Sequence, residues 1–169
     1  NTRILLTING NRTTDVVFDG APFVRQFPLA VDLLERIEFL HGPGGAVSGQ
    51  PAMFGVVNVV TRNGRDINGA ELSASWQQPQ SMQEGRATFG KLLDNGVDLV
   101  LSASGMYARG EDRFFDYGSS GVSGVAAGLD AGRSQQFFAS IRRGAWAFDL
   151  TAGTHIKYDP TGAYRSTPL

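Results

Sequence analysis

Apolar and polar residues alternate along most of positions 68–160, and this period of two predicts a run of β-strands. In the last such stretch, Trp146, Phe148 and Leu150 share one face, while Asp149 and Thr151 share the other. Polar turns such as those at 94–96 and 143–144 separate the stretches. The pattern predicts five strands, at 70–77, 84–92, 97–104, 135–143 and 146–158.

Residues 1–65 follow a mixed pattern that predicts strands and one helix. Short apolar or β-branched runs at 3–8, 16–18 and 56–61 predict strands, each closed by an Asn-Gly or Asp-Gly pair. Between the last two runs, a helix is predicted over 28–40, because apolar residues recur there at helical spacing, namely Leu29, Leu33, Ile37 and Leu40. Residues 36–40 also alternate, so a strand remains open for that part.

The strands of the second part have features typical of outer-membrane β-barrels. Strands of roughly 9–11 residues cross a bilayer at a tilt of about 45°. The face opposite the apolar one is small and polar, and tight turns alternate with the longer connections 78–83 and 108–133. A soluble antiparallel sandwich also alternates and remains the alternative fold. Because single-chain barrels start at about eight strands, five strands predict a fragment if the barrel interpretation is correct.

Composition narrows the classes of function. The sequence has 169 residues with 22 Gly, no Cys and a formal charge of −1. This glycine content disfavours a long-helix protein, and the near-zero charge disfavours a nucleic-acid partner. No apolar run reaches the roughly 18 residues of a membrane-spanning helix. The two histidines are far apart and no cysteine accompanies them, which disfavours a dedicated metal site.

One long, ordered motif resembles the plug domain of TonB-dependent outer-membrane receptors. It comprises Asp19-Gly20-Ala21-Pro22, the segment 34–43 (LERIEFLHGP) and the segment 54–62 (FGVVNVVTR). The resemblance implies an α+β plug segment followed by antiparallel transmembrane β-barrel strands, a fragment of a roughly 22-stranded barrel. Residues 1–65 would then be the second half of a plug domain, and residues 66–169 the first strands of the barrel.

The resemblance also implies a function. Members of this family bind a scarce, bulky nutrient at the bacterial outer membrane and import it with energy from the TonB complex; they are not enzymes. The implied partners are outer-membrane lipid, a small-molecule nutrient, and the TonB complex through an N-terminal box absent from this sequence. No cofactor is implied, although the imported ligand can be a metal chelate such as a ferric siderophore. The sequence does not distinguish siderophore, haem, cobalamin and oligosaccharide as ligands.

The resemblance assigns plug anchoring and gating to nine motif residues, which are Glu35, Arg36, Glu38, His41, Gly42, Pro43, Gly49, Gly55 and Asn58. Two positions depart from the family, because His41 replaces the arginine before Gly-Pro and Ser48 replaces a tyrosine. In the family, that arginine faces carboxylates of the barrel wall. Since an unperturbed histidine has a pKa of about 6.5, a pH-sensitive contact and a drifted packing position are both open for His41.

Ligand contact is predicted at the plug apex, which the resemblance places between the Asp19-Gly20 turn and segment 34–43. Two aromatic rings flank a cation and an amide there, in Phe23, Arg25, Gln26 and Phe27, and this set suits an anionic or aromatic ligand. Packing against the barrel wall is the alternative role. The connection 108–133 is predicted to be an extracellular loop. It could serve as a lid that contacts the ligand through Arg109, Arg113, Phe114 and Tyr117, or be an ordinary solvated loop.

A soluble β-rich binding or interaction module with no transport role is the alternative function. It would need polar residues on the face that faces lipid in the membrane interpretation. Leu99, Leu101 and Phe148 occupy that face and argue against it. An enzyme that uses Glu35 and Glu38 is disfavoured as well, because no nucleophile or base accompanies them.

Overall fold

The computed structural model describes residues 4–13, 27–42, 55–116 and 123–158. Within these ranges the chain is mostly antiparallel β-sheet, with one four-residue α-helix, α1 (Gly64–Ile67). The strands are β1 (Ile4–Ile8), β2 (Asn11–Arg12), β3 (Leu34–His41), β4 (Gly55–Thr61), β5 (Gly69–Gln77), β6 (Met82–Leu92), β7 (Asp98–Ala108), β8 (Glu111–Asp116), β9 (Ser123–Leu129), β10 (Gly132–Arg143) and β11 (Trp146–Lys157).

The N-terminal sheet contains four strands in the order β2-β1-β4-β3. Strands β1 and β4 are parallel, and β3 is antiparallel to β4. The predicted helix over 28–40 is wrong, because only a 3-10 turn at Val31–Leu33 precedes β3. Leu29 and Leu33 are buried as the helical spacing requires, whereas Ile37 and Leu40 are exposed. The pairing of β3 with the β-branched strand β4 therefore overrides the helical pattern. The predicted strand at 16–18 lies outside the described residues.

The second sheet contains five antiparallel strands in the order β11-β10-β7-β6-β5. They confirm the five predicted strands and lengthen most of them, to between 9 and 12 residues. The connection predicted as a loop at 108–133 contains the hairpin β8–β9, which continues the β7–β10 pair beyond the sheet. Gly110 permits this continuation, since a Cβ there would lie 2.6 Å from the backbone of Gly128.

The two sheets share one core. Successive side chains of a strand point to opposite faces, and the face of the five-stranded sheet that contacts the N-terminal sheet is called the inner face. From this inner face, Val100 and Phe138 are almost fully buried. They pack in one cluster with N-terminal residues that include Leu6, Ile8, Leu29, Leu33 and Val59. The opposite, outer face carries exposed apolar side chains, among them Leu72, Phe89, Leu101, Phe137, Phe148 and Leu150.

The segment between β4 and β5, residues 62–68, forms the junction between the two sheets, and it is anchored on the five-stranded sheet. The buried carboxylate of Asp98 accepts hydrogen bonds from the backbone N–H groups of Gly64 and Arg65. Ile67 of α1 belongs to the shared core. None of the helical segments in the described ranges has the length and apolarity to span a membrane.

Candidate functional site

Polar side chains link the inner face to the N-terminal sheet, and we call these contacts the polar seam. Its members are Asn9, Asp32, Arg62, Asn63, Glu71, Arg86, Thr88, Ser102, Gln136, Arg142 and Asp149. They come from the turn after β1, from the 3-10 turn before β3, from the residues after β4 and from all five strands of the larger sheet. Alternation along each of the five strands places its seam residues on the inner face.

The first part of the seam is a two-pronged ion pair. Arg62 follows β4, and its guanidinium donates to both carboxylate oxygens of Glu71 on β5, at 3.0 and 2.9 Å. This hydrogen bonding raises the pKa of Arg62 above its ordinary value. Paired N–H donors of an arginine match the two oxygens of a carboxylate, so the contact fixes direction as well as charge.

The second part of the seam is a buried cation. The side chain of Arg86 on β6 is only 6% exposed and lies 2.9 Å from Asp32 and 3.9 Å from Glu71. It also donates to Thr88, whose hydroxyl lies 2.8 Å from that of Ser102. A buried charge is costly unless it is paired. The inner face therefore depends on Asp32, which the N-terminal segment supplies.

Three further hydrogen bonds extend the seam to β10 and β11. Asn9 donates to Asp149 at 3.1 Å. Arg142 donates to Asn63 at 2.6 Å. Gln136 donates to the backbone carbonyl of Phe27 at 2.8 Å. These contacts hold three N-terminal segments against the inner face: the turn after β1, the segment before the 3-10 turn, and the junction after β4.

Four of the predicted motif residues form a compact network on β3 and β4. Arg36 contacts Glu35 at 2.7 Å and Glu38 at 2.8 Å. Asn58 donates to Glu38 at 2.8 Å and accepts from Thr7 at the same distance. The hydrogen bond from Asn58, followed by that from Arg36, lowers the pKa of Glu38. The network lies within the N-terminal sheet, and none of its hydrogen bonds reaches the larger sheet.

The other motif residues are structural in the described part of the chain. His41 is exposed at the end of β3, and its ring meets that of Phe39 edge-on at 5.9 Å. No ion pair involves His41 among the described residues. Gly42 has a φ of 108°, and a Cβ on Gly55 would lie 2.7 Å from the carbonyl of Leu40. Pro43 and Gly49 lie outside the described residues.

The predicted ligand residues are only partly described. Phe23, Arg25, Gln26 and Tyr117 lie outside the described ranges, while Phe27 is half-buried. Arg109 is exposed before the β8–β9 hairpin, and Arg113 pairs with Glu111 at 3.0 Å. Phe114 is 63% exposed on the hairpin. No hydrogen bond or ion pair of the described residues joins the hairpin to Phe27.

Two cavities lie between β11 and the N-terminal segment, on either side of Pro28. The larger has a volume of about 480 Å³ and is lined by Asn11, Asp149 and Thr151, among others. The smaller has a volume of about 180 Å³ and is lined by Gln136 and His155, among others. No group of three potential metal ligands occurs within the described ranges.

Sequence reasoning singled out the four motif residues of the network but missed the polar seam. Asp32 and Arg86 are 54 positions apart, and no motif joins them. One signal was present, because Arg86 is a cation on the small, polar face of a predicted strand and therefore needs an anionic partner. The partner itself follows only from the fold.

Comparison with known proteins gives a similarity in structure. No protein-family model matches the sequence. The crystal structure of the ferric enterobactin receptor (PfeA) is similar to this chain, with a TM-score of 0.53 and 16% sequence identity. The similarity covers 91% of this chain and 25% of the receptor, so the chain spans about a quarter of that receptor's length. The two proteins therefore share a fold over that quarter.

Proposed function

We propose that this chain is part of an outer-membrane receptor that binds a bulky nutrient such as a ferric siderophore and imports it with energy from the TonB complex. The observation that carries the proposal is the polarity of the five-stranded sheet. Its outer face is apolar and exposed, and its inner face is polar and packs on the N-terminal sheet. A strand in lipid has this arrangement, whereas a soluble sheet buries its apolar face.

The dimensions of the sheet support the same proposal. Its strands have 9 to 12 residues, close to the roughly 9–11 that cross a bilayer with tilt. Exposed aromatic side chains lie near both margins of the outer face, with Trp76 and Tyr107 at one margin and Trp146 at the other. Such positions match the interfacial aromatic girdles of membrane barrels. The fold shared with a receptor for a ferric ligand agrees with these features.

In this proposal, residues 1–65 are the second half of a plug and residues 66–169 are the first barrel strands. The polar seam then holds the plug against the wall, and the motif network around Arg36 keeps β3 and β4 together. Polar contacts suit this role because they exchange with water at low net cost when the plug moves. Ile37, Phe39 and Leu40 are about 60% exposed at the edge strand β3. We assign their cover to further strands of the barrel wall.

We assign ligand contact in the proposed receptor to Phe23, Arg25, Gln26 and Phe27 of the plug apex and to Arg109, Arg113, Phe114 and Tyr117 of the connection 108–133. Arginine and aromatic side chains together suit an anionic chelate that carries aromatic rings. Gln136 supports this assignment, since its hydrogen bond fixes the backbone at Phe27 to the inner face.

Uptake by whole cells tests the proposed function. A strain that lacks the gene is complemented with the complete protein and supplied with radiolabelled ferric chelates of several classes. We expect energy-dependent accumulation of at least one chelate, and loss of that accumulation when TonB is deleted. Uptake that is equal with and without the gene for every chelate, haem, cobalamin and oligosaccharide tested would contradict the proposal.

The alternative, a soluble β-rich binding module, makes the opposite prediction about the outer face. A soluble module of this size would leave large apolar side chains such as Leu72, Phe148 and Trp146 in water, which favours aggregation. If the chain nevertheless belongs to a soluble module, the complete protein is recovered from the aqueous fraction of disrupted cells without detergent. Recovery only with detergent supports the receptor.

A further inference from the structure

We infer that the outer face of the five-stranded sheet holds a discrete site for one phosphate-bearing acyl glycolipid, with Arg133 at the phosphate and an acyl chain in the groove beside it. The inference rests on the proposed function, because it requires the outer face to lie in a bilayer. It adds a specific lipid partner to that function.

Charge is segregated by face along the five strands. Their carboxylates all lie on the inner face, at Glu71, Glu84, Asp98 and Asp149. The outer face carries only cations, at Lys91, Arg133 and Arg143. None of the ion pairs among the described residues involves these three side chains. An acid-free face with unpaired cations is complementary to anionic headgroups.

The cations lie at the two margins of the apolar band. Arg133 is the second residue of β10 and Arg143 the last, so they are ten positions apart. At about 3.4 Å per residue this separation is roughly 34 Å along the strand. A tilt of about 45° reduces it to a height of roughly 24 Å, close to the about 25 Å of an apolar barrel band. Arg133 therefore lies at headgroup level on the side of the long connections.

Two adjoining depressions, of about 890 and 620 Å³, lie on the outer face, and Arg133 lines the smaller one. Ala87, Ala103, Gly105 and Ala152 form the floor, and Phe137 forms one wall. Next to Arg133, the upper depression is lined by Tyr107. The floor is open, since a Cβ on Gly85 would meet no atom within 4 Å. The groove thus offers a floor of small apolar residues that ends at a cation, with the polar side chains of Gln83, Gln135 and Thr154 also in its lining.

A lipid fits these features better than a protein partner. A protein would need its own carboxylate to compensate Arg133 when the groove is desolvated, whereas every phosphorylated lipid supplies an anion next to acyl chains. In bacterial barrels, longer loops are extracellular. Arg133 lies at the end of the sheet that carries the β8–β9 hairpin. The phosphate-bearing lipid of that leaflet in an outer membrane is an acylated glycolipid, lipid A. We therefore assign the site to lipid A.

Lipid retention by the complete protein tests the inference. The protein is purified in mild detergent, stripped of lipid and titrated with lipid A while bound lipid is counted by native mass spectrometry. We expect the wild type to bind one lipid A per protein. We expect Arg133→Gln to bind it about tenfold more weakly or worse, because the substitution removes a charge-assisted hydrogen bond. Ala103→Phe fills the groove and weakens binding as well. Arg133→Lys keeps most of the affinity, and lipid A without its phosphates binds as weakly as Arg133→Gln does to intact lipid A.

Arg143→Gln is the matched control, because it removes an outer-face cation at the opposite margin. Equal affinity of the wild type and Arg133→Gln, or an equal loss in Arg143→Gln, would overturn the inference. Phosphatidylglycerol that binds as tightly as lipid A would overturn the choice of lipid. Fractionation of the same cells separates the two levels of failure. A protein in the outer membrane without specific lipid retention refutes only this inference, whereas a protein outside the outer membrane refutes the proposed function and this inference together.

Discussion

At the scale of single residues, Arg86 connects the two sheets through a buried charge. Its guanidinium is buried on the inner face, and the carboxylate within 3 Å is that of Asp32 in the N-terminal segment. The contact could not be predicted from the sequence, because it depends on how two distant segments pack. Glu35, Arg36 and Glu38 could be singled out from the sequence, because they stand together in one short motif.

Removal of the Arg86 charge tests the importance of this contact. In Arg86→Met, the carboxylates of Asp32 and Glu71 lose a partner, but Asp32 is largely exposed and water compensates part of the loss. We expect a loss of about 1–3 kcal/mol in the free energy of unfolding. Thermal unfolding of the complete protein in detergent measures it. Arg113→Met removes an exposed pair and is the control. An equal effect of both substitutions would contradict the assignment.

The pKa of Glu38 predicts a pH dependence. Hydrogen bonds from Asn58 and Arg36 lower this pKa in the folded protein below its value in the unfolded chain. Stability from Glu38 is therefore present above the unfolded pKa and is lost as the pH falls through the folded pKa. We expect Glu38→Gln to lower the unfolding midpoint at pH 7 and to have a smaller effect near pH 3. A deficit that does not change with pH would contradict this origin.

At the scale of elements, the sequence predicts the five strands of the larger sheet well, because their alternation is long and regular. It fails at 28–40, where apolar residues at helical spacing also serve the 3-10 turn and β3. It also misses β8 and β9, since Arg113, Phe114 and their neighbours do not alternate clearly. Pairing between strands decides both cases, and pairing is not a property of a local pattern.

The two faces of β5 can be compared at positions three residues apart. Leu72 lies on the outer face and is 84% exposed, while Ser75 lies on the inner face opposite Glu84 and is exposed as well. In a bilayer, Leu72→Arg costs about 2–4 kcal/mol near the midplane, whereas Ser75→Arg faces the wet interior next to a carboxylate and costs little. We expect Leu72→Arg alone to lower the folded, outer-membrane fraction of the protein. Equal recovery of both variants from membranes would contradict the orientation of the strand.

The junction between the sheets depends on a close approach at Gly64. A Cβ there would overlap the carbonyl of Leu99 and the backbone of Lys91, and backbone atoms cannot rotate away. We expect Gly64→Ala to lower the free energy of unfolding by about 1–3 kcal/mol through overpacking. Gly85→Ala, where a Cβ meets nothing within 4 Å, is the control and stays near the wild type in the same thermal assay. A neutral Gly64→Ala would refute the close packing of α1.

At the scale of the whole molecule, the outer and inner faces of the larger sheet need different surroundings. The larger sheet presents apolar residues outward, and its inner charges require the N-terminal sheet. The sequence predicts the larger sheet through its alternation and the N-terminal segment through its resemblance to a plug motif. It does not supply their contact, which arises from Val100 and Phe138 in the shared core and from the polar seam. The division near residue 65 remains a prediction.

Single-cysteine labelling tests the central claim, that the larger sheet crosses the outer membrane around the N-terminal sheet. These 169 residues contain no cysteine, so Arg109→Cys, Asn95→Cys and Ala103→Cys each introduce one thiol among them, and any cysteine elsewhere in the complete protein is first replaced by serine. Intact cells that express the complete protein are treated with a membrane-impermeant maleimide. The account predicts labelling at 109, labelling at 95 only after the outer membrane is permeabilised, and protection at 103 until the protein is denatured. Equal labelling of all three thiols, in cells or in a detergent-free extract, would contradict it.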